Sequence, residues 1–302
     1  MSDDADAWRV VSSKSRRAVR GKANKSALAA HAAETNLNAD VRAEEESLAP
    51  EVIAERAREA VRKVTRAIGD VEDATFTRAA IDCVVNAVRE RRRERVVTAL
   101  VLGLGSPATS AVARMQLAFA ILLTRALKAT FGDDFVRVKA RDPCFTLVDE
   151  AVLRETCGGE AVAESASRAL VLANSGDGDG DGDVDEFVMF YMPHCEGDLY
   201  ESVVRARWSA TQLRDLVCVG NTFTTYADRW AAKNVDPSKK RPSHVIAAST
   251  IVKSTLIDPG DTFTVQGAFN DTSVHSFDIF DDGAALPDVE SSLVEDAVQL
   301  CS

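Results

Sequence analysis

VVTALVLGLGSP, residues 96–107, joins a short β-branched and aliphatic run to a glycine-rich turn. A run of this kind suits a strand buried on both faces of a parallel sheet, and GLGSP is the punctuation that ends it. AVARMQLAFAILLTRALKATF, residues 111–131, follows as a long helix that is apolar around much of its circumference. FVRVKA, residues 135–140, makes a second strand, stopped by RDP. Strand, helix, strand is a βαβ unit, whose crossover is expected to be right-handed.

The alternation continues toward the C-terminus. A helix is expected over Leu147 to Thr156, a third strand in FVMFYM (187–192) ending at PHC, and a helix from Asp198 to Arg207. LRDLVCV (213–219) reads as a fourth strand ending at GNTF, SHVIAASTIVKSTL (243–256) as a helix, and TFTVQGAF and TSVHSFDIF as edge strands. The expected fold class is therefore α/β, a Rossmann-like doubly wound and mostly parallel sheet. Upstream, Val52, Ala60, Val61, Val64 and Ile68, then Ile81, Val84, Val85 and Val88 after a break near Gly69, recur at helical spacing. They predict a helical extension over 46–95 that packs on the core. Its end, RERRRER (89–95), reads as a solvated helix terminus whose arginines oppose the dipole.

The remaining boundaries follow from composition. Residues 1–45 are polar, Ala-rich and poor in large apolar side chains, which predicts a disordered basic tail. Residues 96–280 form the α/β domain, with an acidic Gly-Asp insertion at 175–186, and 281–302 form an acidic C-terminal tail. The chain has 302 residues, 46% of them hydrophobic, sufficient for one large domain or two small ones. It has no run of roughly 18 apolar residues, and MSDDADAWRVV lacks a signal peptide's apolar segment. No membrane partner is expected, and the protein reads as soluble and intracellular. Six singly scattered cysteines suit reduced thiols.

The net charge is −11, yet residues 9–25 carry Arg9, Lys14, Arg16, Arg17, Arg20, Lys22 and Lys25 without an acid. This arm is either a weak nucleic-acid or import segment or a solvated tail. An acidic whole argues against any broader nucleic-acid face.

In open α/β sheets, ligands bind at the carboxyl ends of the strands. The expected strands end in GLGSP, RDP, PHC and GNTF, which would place Gly103, Gly105, Ser106, Asp142, Pro193, His194, Cys195 and Asn221 on one rim. Gly103, Gly105 and Ala108 have the spacing of a dinucleotide fingerprint, although Pro107 removes a donor; a tight strand-to-helix turn explains the same residues. Asp142 either binds a ribose-like hydroxyl or caps the following helix. His194 and Cys195 set a base beside a nucleophile, but neighbouring side chains often diverge. With Cys144, His244 and His275 they make no zinc spacing, so no metal is expected. Nucleophile-elbow, P-loop and zinc-protease motifs are absent.

VLGLGSPATSAVARMQLAFAILL, RDPCFTLVDEAVL, FYMPHCEGDLYESVVRARW and VCVGNTFTTYADR together resemble the Sensitivity to Red Light Reduced (SRR-like) family. The likeness is carried by Gly103-x-Gly105-Ser106, Arg114-x-Gln116-Leu117-Ala118, Asp142-Pro143, Met192-Pro193-His194-Cys195, Leu199-Tyr200, Trp208 and Gly220-Asn221-x-Phe223-x-x-Tyr226. It adds Tyr200 to the rim. The resemblance implies a regulatory protein acting through protein partners, in red-light or circadian signalling as for plant relatives, or in haem-synthesis regulation as for animal relatives. It also implies cytoplasmic and nuclear residence. It brings no reaction and no cofactor, so the cofactor is unknown and no residue is carried over as catalytic. The alternative is an enzyme or sensor that binds a nucleotide, adenosylmethionine or a tetrapyrrole at the rim.

GDGDGDGDVDEF, residues 176–187, imitates a calcium loop, with Asp177, Asp179 and Asp181 at positions 1, 3 and 5 and Gly182 at 6. Position 12 is Val188 instead of Glu, and the run leads into a strand rather than a helix. It reads as a flexible, self-repelling insertion.

Overall fold

The structure, a computed structural model, describes residues 40–158, 160–162, 186–231, 240–260, 263–265, 267–279 and 283–289. The Gly-Asp run up to residue 185, residues 232–239 and the two ends of the chain lie outside them.

The described residues form one sheet between two helical layers. Strand β1 (Val96–Leu102) pairs in parallel with β2 (Val136–Arg141) on one side and with β4 (Glu186–Met192) on the other. β3 (Glu160–Val162) continues outward from β2, and β5 (Val217–Asn221) from β4, both parallel. β7 (Thr272–Ser276) then runs antiparallel to β5, and β6 (Lys253–Leu256) antiparallel to β7, giving the order β3-β2-β1-β4-β5-β7-β6. The α/β class holds and the sheet is mostly parallel, but it is mixed, with antiparallel pairings at β7 and β6, so it is not strictly a parallel Rossmann-like sheet. β6 and β7, which follow one another in the chain, pair with each other antiparallel and so need no helical crossover between them.

Burial on both faces explains the unbroken apolar runs. In β1, Val97, Ala99 and Val101 point to one layer and Leu100 and Leu102 to the other, the period-two alternation of a strand. The first layer holds α2 (Pro50–Glu72), α3 (Thr77–Arg91), α4 (Ala111–Phe131) and α5 (Leu147–Cys157). α4 lies against α3, α5 and β2, and α2 packs across α4 and α5. That position explains α4's wide apolar surface. The second layer holds α6 (Gly197–Ala206), α7 (Ala210–Arg214), α8 (Phe223–Trp230) and α9 (Ser243–Ala248). A short helical segment, residues 40–46, called α1, starts inside the stretch read as tail. Its Arg42 donates to the Phe145 carbonyl and to Glu150, and its buried Glu45 accepts from Val148 N–H at the start of α5.

Four local readings change. The break between the first two long helices falls after Glu72, and Gly69 stays inside α2. LRDLVCV divides into the end of α7 and the start of β5, which runs on through Gly220 and Asn221. The helix expected over 243–256 stops at Ala248, and Lys253–Leu256 is an edge strand. TFTVQGAF makes no strand among its described residues, while TSVHS forms β7 inside the sheet, not at its edge.

The arginine-rich end of α3 is not simply solvated. Arg91, 6% exposed, donates to the Ala87 carbonyl and pairs with Asp278 at 2.8 Å. Arg95 donates to the Arg91 carbonyl and pairs with Asp215 at 2.7 Å, and Arg92 lies 4.3 Å over the Phe131 ring. These side chains close carbonyls at the helix end and tie α3 to neighbouring elements.

Candidate functional site

The chain leaves β1 toward the first helical layer, through α4, and leaves β4 toward the second, through α6. The two loops therefore part at the carboxyl ends of adjacent strands, which is where α/β sheets open a crevice. The loops touch at the base of this divergence. The Cys195 thiol donates to the Leu102 carbonyl at 3.3 Å, and a Cβ added to Gly103 would lie 2.3 Å from Cys195 Sγ. Gly103 and Gly105 have φ of +66° and +73°, so the turn requires glycine on backbone grounds as well.

The structure brings the rim residues together, and most of their polar groups are spent on one another. Asp142 is fully buried and caps no helix; its two oxygens accept from Gly105 N–H at 2.8 Å and Cys144 N–H at 2.7 Å. Asp149 was not on the expected rim, yet it accepts from Ser106 Oγ, Ala108 N–H, Thr146 N–H and Thr146 Oγ. It also completes the capping box of α5, with Thr146 as N-cap. Burial raises the Asp149 pKa, and the four hydrogen bonds oppose that shift. In a dinucleotide fingerprint the N–H groups of the glycine turn would face phosphate. Here carboxylates occupy those of Gly105 and Ala108.

The PHC turn is locked from β5. Asn221 Oδ1 accepts from His194 N–H at 3.1 Å, and Asn221 Nδ2 donates to the Cys195 carbonyl and to the Tyr226 hydroxyl. Tyr226 in turn donates to the Cys195 carbonyl. The Tyr200 hydroxyl accepts from Asn221 N–H at 2.7 Å and donates to the Met192 carbonyl. Burial, reinforced by Asp142, pushes the Cys195 thiol well above the ordinary range, the opposite of an activated nucleophile. Pro193 is buried in the same turn, and His194, at φ +56°, is the partly exposed side chain of PHC. Its Nδ1 lies 3.1 Å from the side-chain nitrogen of Gln116 on α4. Gln116 belonged to the quoted motif but was not singled out; a lone amide on an apolar helix face was its signal.

The other two described histidines lie elsewhere. His244 at the start of α9 faces Glu201 at 2.6 Å. His275 on β7 is buried between Ser254 Oγ and the Asn221 carbonyl. Among the described residues, no cluster of three or more His, Cys, Asp or Glu side chains is placed to hold a metal ion. No described helix is long and apolar enough to cross a membrane.

Burial lowers the pKa of His275 from 6.5 to about 4. Below pH 6.5 the unfolded chain therefore takes up a proton that the folded chain refuses. The stability contributed above that pH is lost as the pH falls toward 4, at up to ~1.4 kcal/mol per unit. Between pH 7 and 5, the urea-unfolding free energy of the wild type is expected to fall about 2 kcal/mol further than that of His275→Gln. Parallel pH dependences would contradict the burial of a neutral ring. Asp149 acts in the opposite direction in both proteins and cancels from the comparison.

The model of the SRR1 domain matches residues 64–276, from inside α2 to the end of β7. The chain belongs to the SRR1-domain family. The SRR1 match spans every rim residue as well as Gln116 and Asp149. Similar proteins include "Protein SENSITIVITY TO RED LIGHT REDUCED 1" of Arabidopsis thaliana, 26% identical over 178 residues, which are 58% of this chain and 56% of that protein. Another is the "SRR1-like protein" of Mus musculus, 27% identical over 131 residues, 43% of this chain and 46% of that protein. The chain thus aligns with about half the length of the curated relatives it matches.

Proposed function

We propose that this SRR1-domain protein is a regulator of red-light or circadian responses that acts through protein partners in the cytoplasm and nucleus. The similar Arabidopsis protein bears a name referring to red-light sensitivity. The observation that carries a non-catalytic reading is the mutual pairing of the rim's polar groups. Asp142, Asp149, Tyr200 and Asn221 hold loop backbones in place, and Cys195 is a buried, protonated thiol. Such an arrangement makes a rigid recognition surface more readily than a set of reacting groups. Deleting the gene is expected to change the organism's response to red light or its free-running period. A clean deletion that leaves both unchanged would overturn the proposal.

A second reading, a small ligand in the crevice between the β1 and β4 loops, is favoured by His194. Its backbone is held at a positive φ that non-glycine residues rarely adopt, and Gln116 lies within hydrogen-bond distance of its ring. Nucleotide, adenosylmethionine and tetrapyrrole are its candidate ligands. The carboxylates behind GLGSP weigh against one that depends on phosphate at that turn. Mass spectrometry of small molecules that copurify with the native protein tests this reading, and a blank result counts against it.

A further inference from the structure

We propose that α1 is a releasable strap: held by charge rather than by apolar packing, it braces the start of α5 and, through α5, the GLGSP turn of the rim. The inference holds for either occupant of the rim considered above.

One stretch of chain, residues 142–149, braces that turn. Asp142, at the head of the stretch, accepts from Gly105 N–H, and Asp149, at its foot, accepts from Ser106 Oγ and Ala108 N–H. α1 seats between them. Arg42 Nη1 donates to the Phe145 carbonyl and to Glu150, both at 2.9 Å, and Glu45 Oε2 accepts from Val148 N–H at 3.2 Å. The first N–H groups of a helix have no partner within it. In α5 the capping box pairs those of Thr146 and Asp149. It leaves that of Val148, to which α1 brings a carboxylate. The helix start that positions Asp149 is therefore completed from α1.

The attachment is almost wholly polar. Of DVRAEEE, residues 40–46, only Val41 and Ala43 are apolar; Val41 is half-buried and Ala43 is exposed. Glu45 is the one buried member of the segment. The further pairs, Arg42 with Glu46 and Glu44 with Arg56, lie toward solvent, where salt weakens them. Two turns of helix do not stand alone in water, so α1 melts when it leaves. A segment with few buried apolar contacts opens locally, ahead of the fold as a whole. α2 instead buries Ala57, Ala60, Val64, Ala67, Ile68 and Val71, and stays when α1 goes. α1 also precedes the residues matched by the SRR1 domain model, so the strap is an addition to the shared domain. The coupling is reciprocal: a rim occupant that needs the braced turn holds α1 down, and a partner that draws residues 40–46 away weakens that occupant by the same factor.

Amide hydrogen exchange of the full chain, read residue by residue, tests the strap. Ser47 and Leu48 report on α1, because their N–H groups bond back to the Glu44 and Glu45 carbonyls. Raising the ionic strength from about 0.01 M to about 1 M should quicken exchange there and at Val148, Gly105 and Ala108, while Val64 of α2 and Leu100 of β1 keep their rates. The double variant Arg42→Ala, Glu45→Ala should quicken the same amides about tenfold or more at low salt and lose the salt response. Arg62→Ala, which removes a surface pair with Glu59 on α2, should change none of them. Ser47 and Leu48 amides that exchange no faster than Val64 overturn the strap. So do Gly105 and Ala108 rates that stay at the wild-type value in the folded double variant, or that ignore salt while α1 opens. Equal quickening at Leu100, or a matching effect of Arg62→Ala, would make α1 a general stabiliser and also overturns the proposal. If the double variant does not fold, the salt series on the wild type decides by itself.

Discussion

Gly220→Ala is expected to cost the domain roughly 3 kcal/mol or more, a large share of the 5–15 kcal/mol typical of native proteins. The added Cβ would lie 2.1 Å from the Tyr200 hydroxyl and 2.7 Å from the Met192 carbonyl oxygen. Met192 pairs with Gly220 across the β4–β5 ladder, so its backbone has no direction in which to retreat. Tyr200 has little more freedom, because its hydroxyl bridges the Met192 carbonyl and Asn221 N–H. If the ring withdraws, two buried backbone groups lose their partner, each worth about 1–3 kcal/mol, on top of the packing strain. Urea unfolding should show a sharply lowered midpoint or no folded protein. Tyr200→Phe should recover part of the loss when combined with Gly220→Ala, since removing the hydroxyl opens the nearest clash. An unshifted midpoint for Gly220→Ala would mean that β5 does not approach β4 and α6 this closely.

Asp149→Ala should be the next most damaging change, at about 3–5 kcal/mol, because one carboxylate closes four donors from two loops. Thr146→Ala removes only the cap hydroxyl and is expected to cost about 1 kcal/mol. Asp149→Asn should fall between them, since its amide oxygen still accepts while its nitrogen opposes the remaining donors. Amide exchange at Ala108 should quicken in Asp149→Ala and remain close to wild type in Thr146→Ala. Equal destabilisation by the two alanine variants would reduce Asp149 to an ordinary capping residue.

Elements whose burial shows in their own side chains were legible from the sequence. β1 is found at Val96–Leu102 and α4 at Ala111–Phe131, the spans that their apolar runs and the GLGSP turn delimit. Residues whose role comes from elsewhere in the chain were not. Gly220 looks like a strand terminator, but it is a strand residue from which Tyr200 excludes a side chain. Thr250, Ile251, Val252 and Thr255 were absorbed into a helix reading; their β-branched density leads instead into β6, which forms because β7 is there to pair with it. The rim was readable as a set of strand ends. Its internal chemistry was not, because Asp149 and Gln116 reach the loops from α5 and α4, and one sequence does not say which helix faces which turn.

The antiparallel pairing of β5 with β7 sets the order in which this protein can be completed during synthesis. Val217–Asn221 leaves the ribosome some fifty residues ahead of Thr272–Ser276, the strand that covers its open side. Until Ser276 has emerged, β5 is a buried-type strand with an unpaired edge, and His275 is not yet in place on the Asn221 carbonyl. A stop codon or stalled translation before residue 272 therefore releases a chain with most of its parallel sheet and an adhesive border. For this fold, premature termination before residue 272 produces an aggregation hazard rather than a shortened working protein.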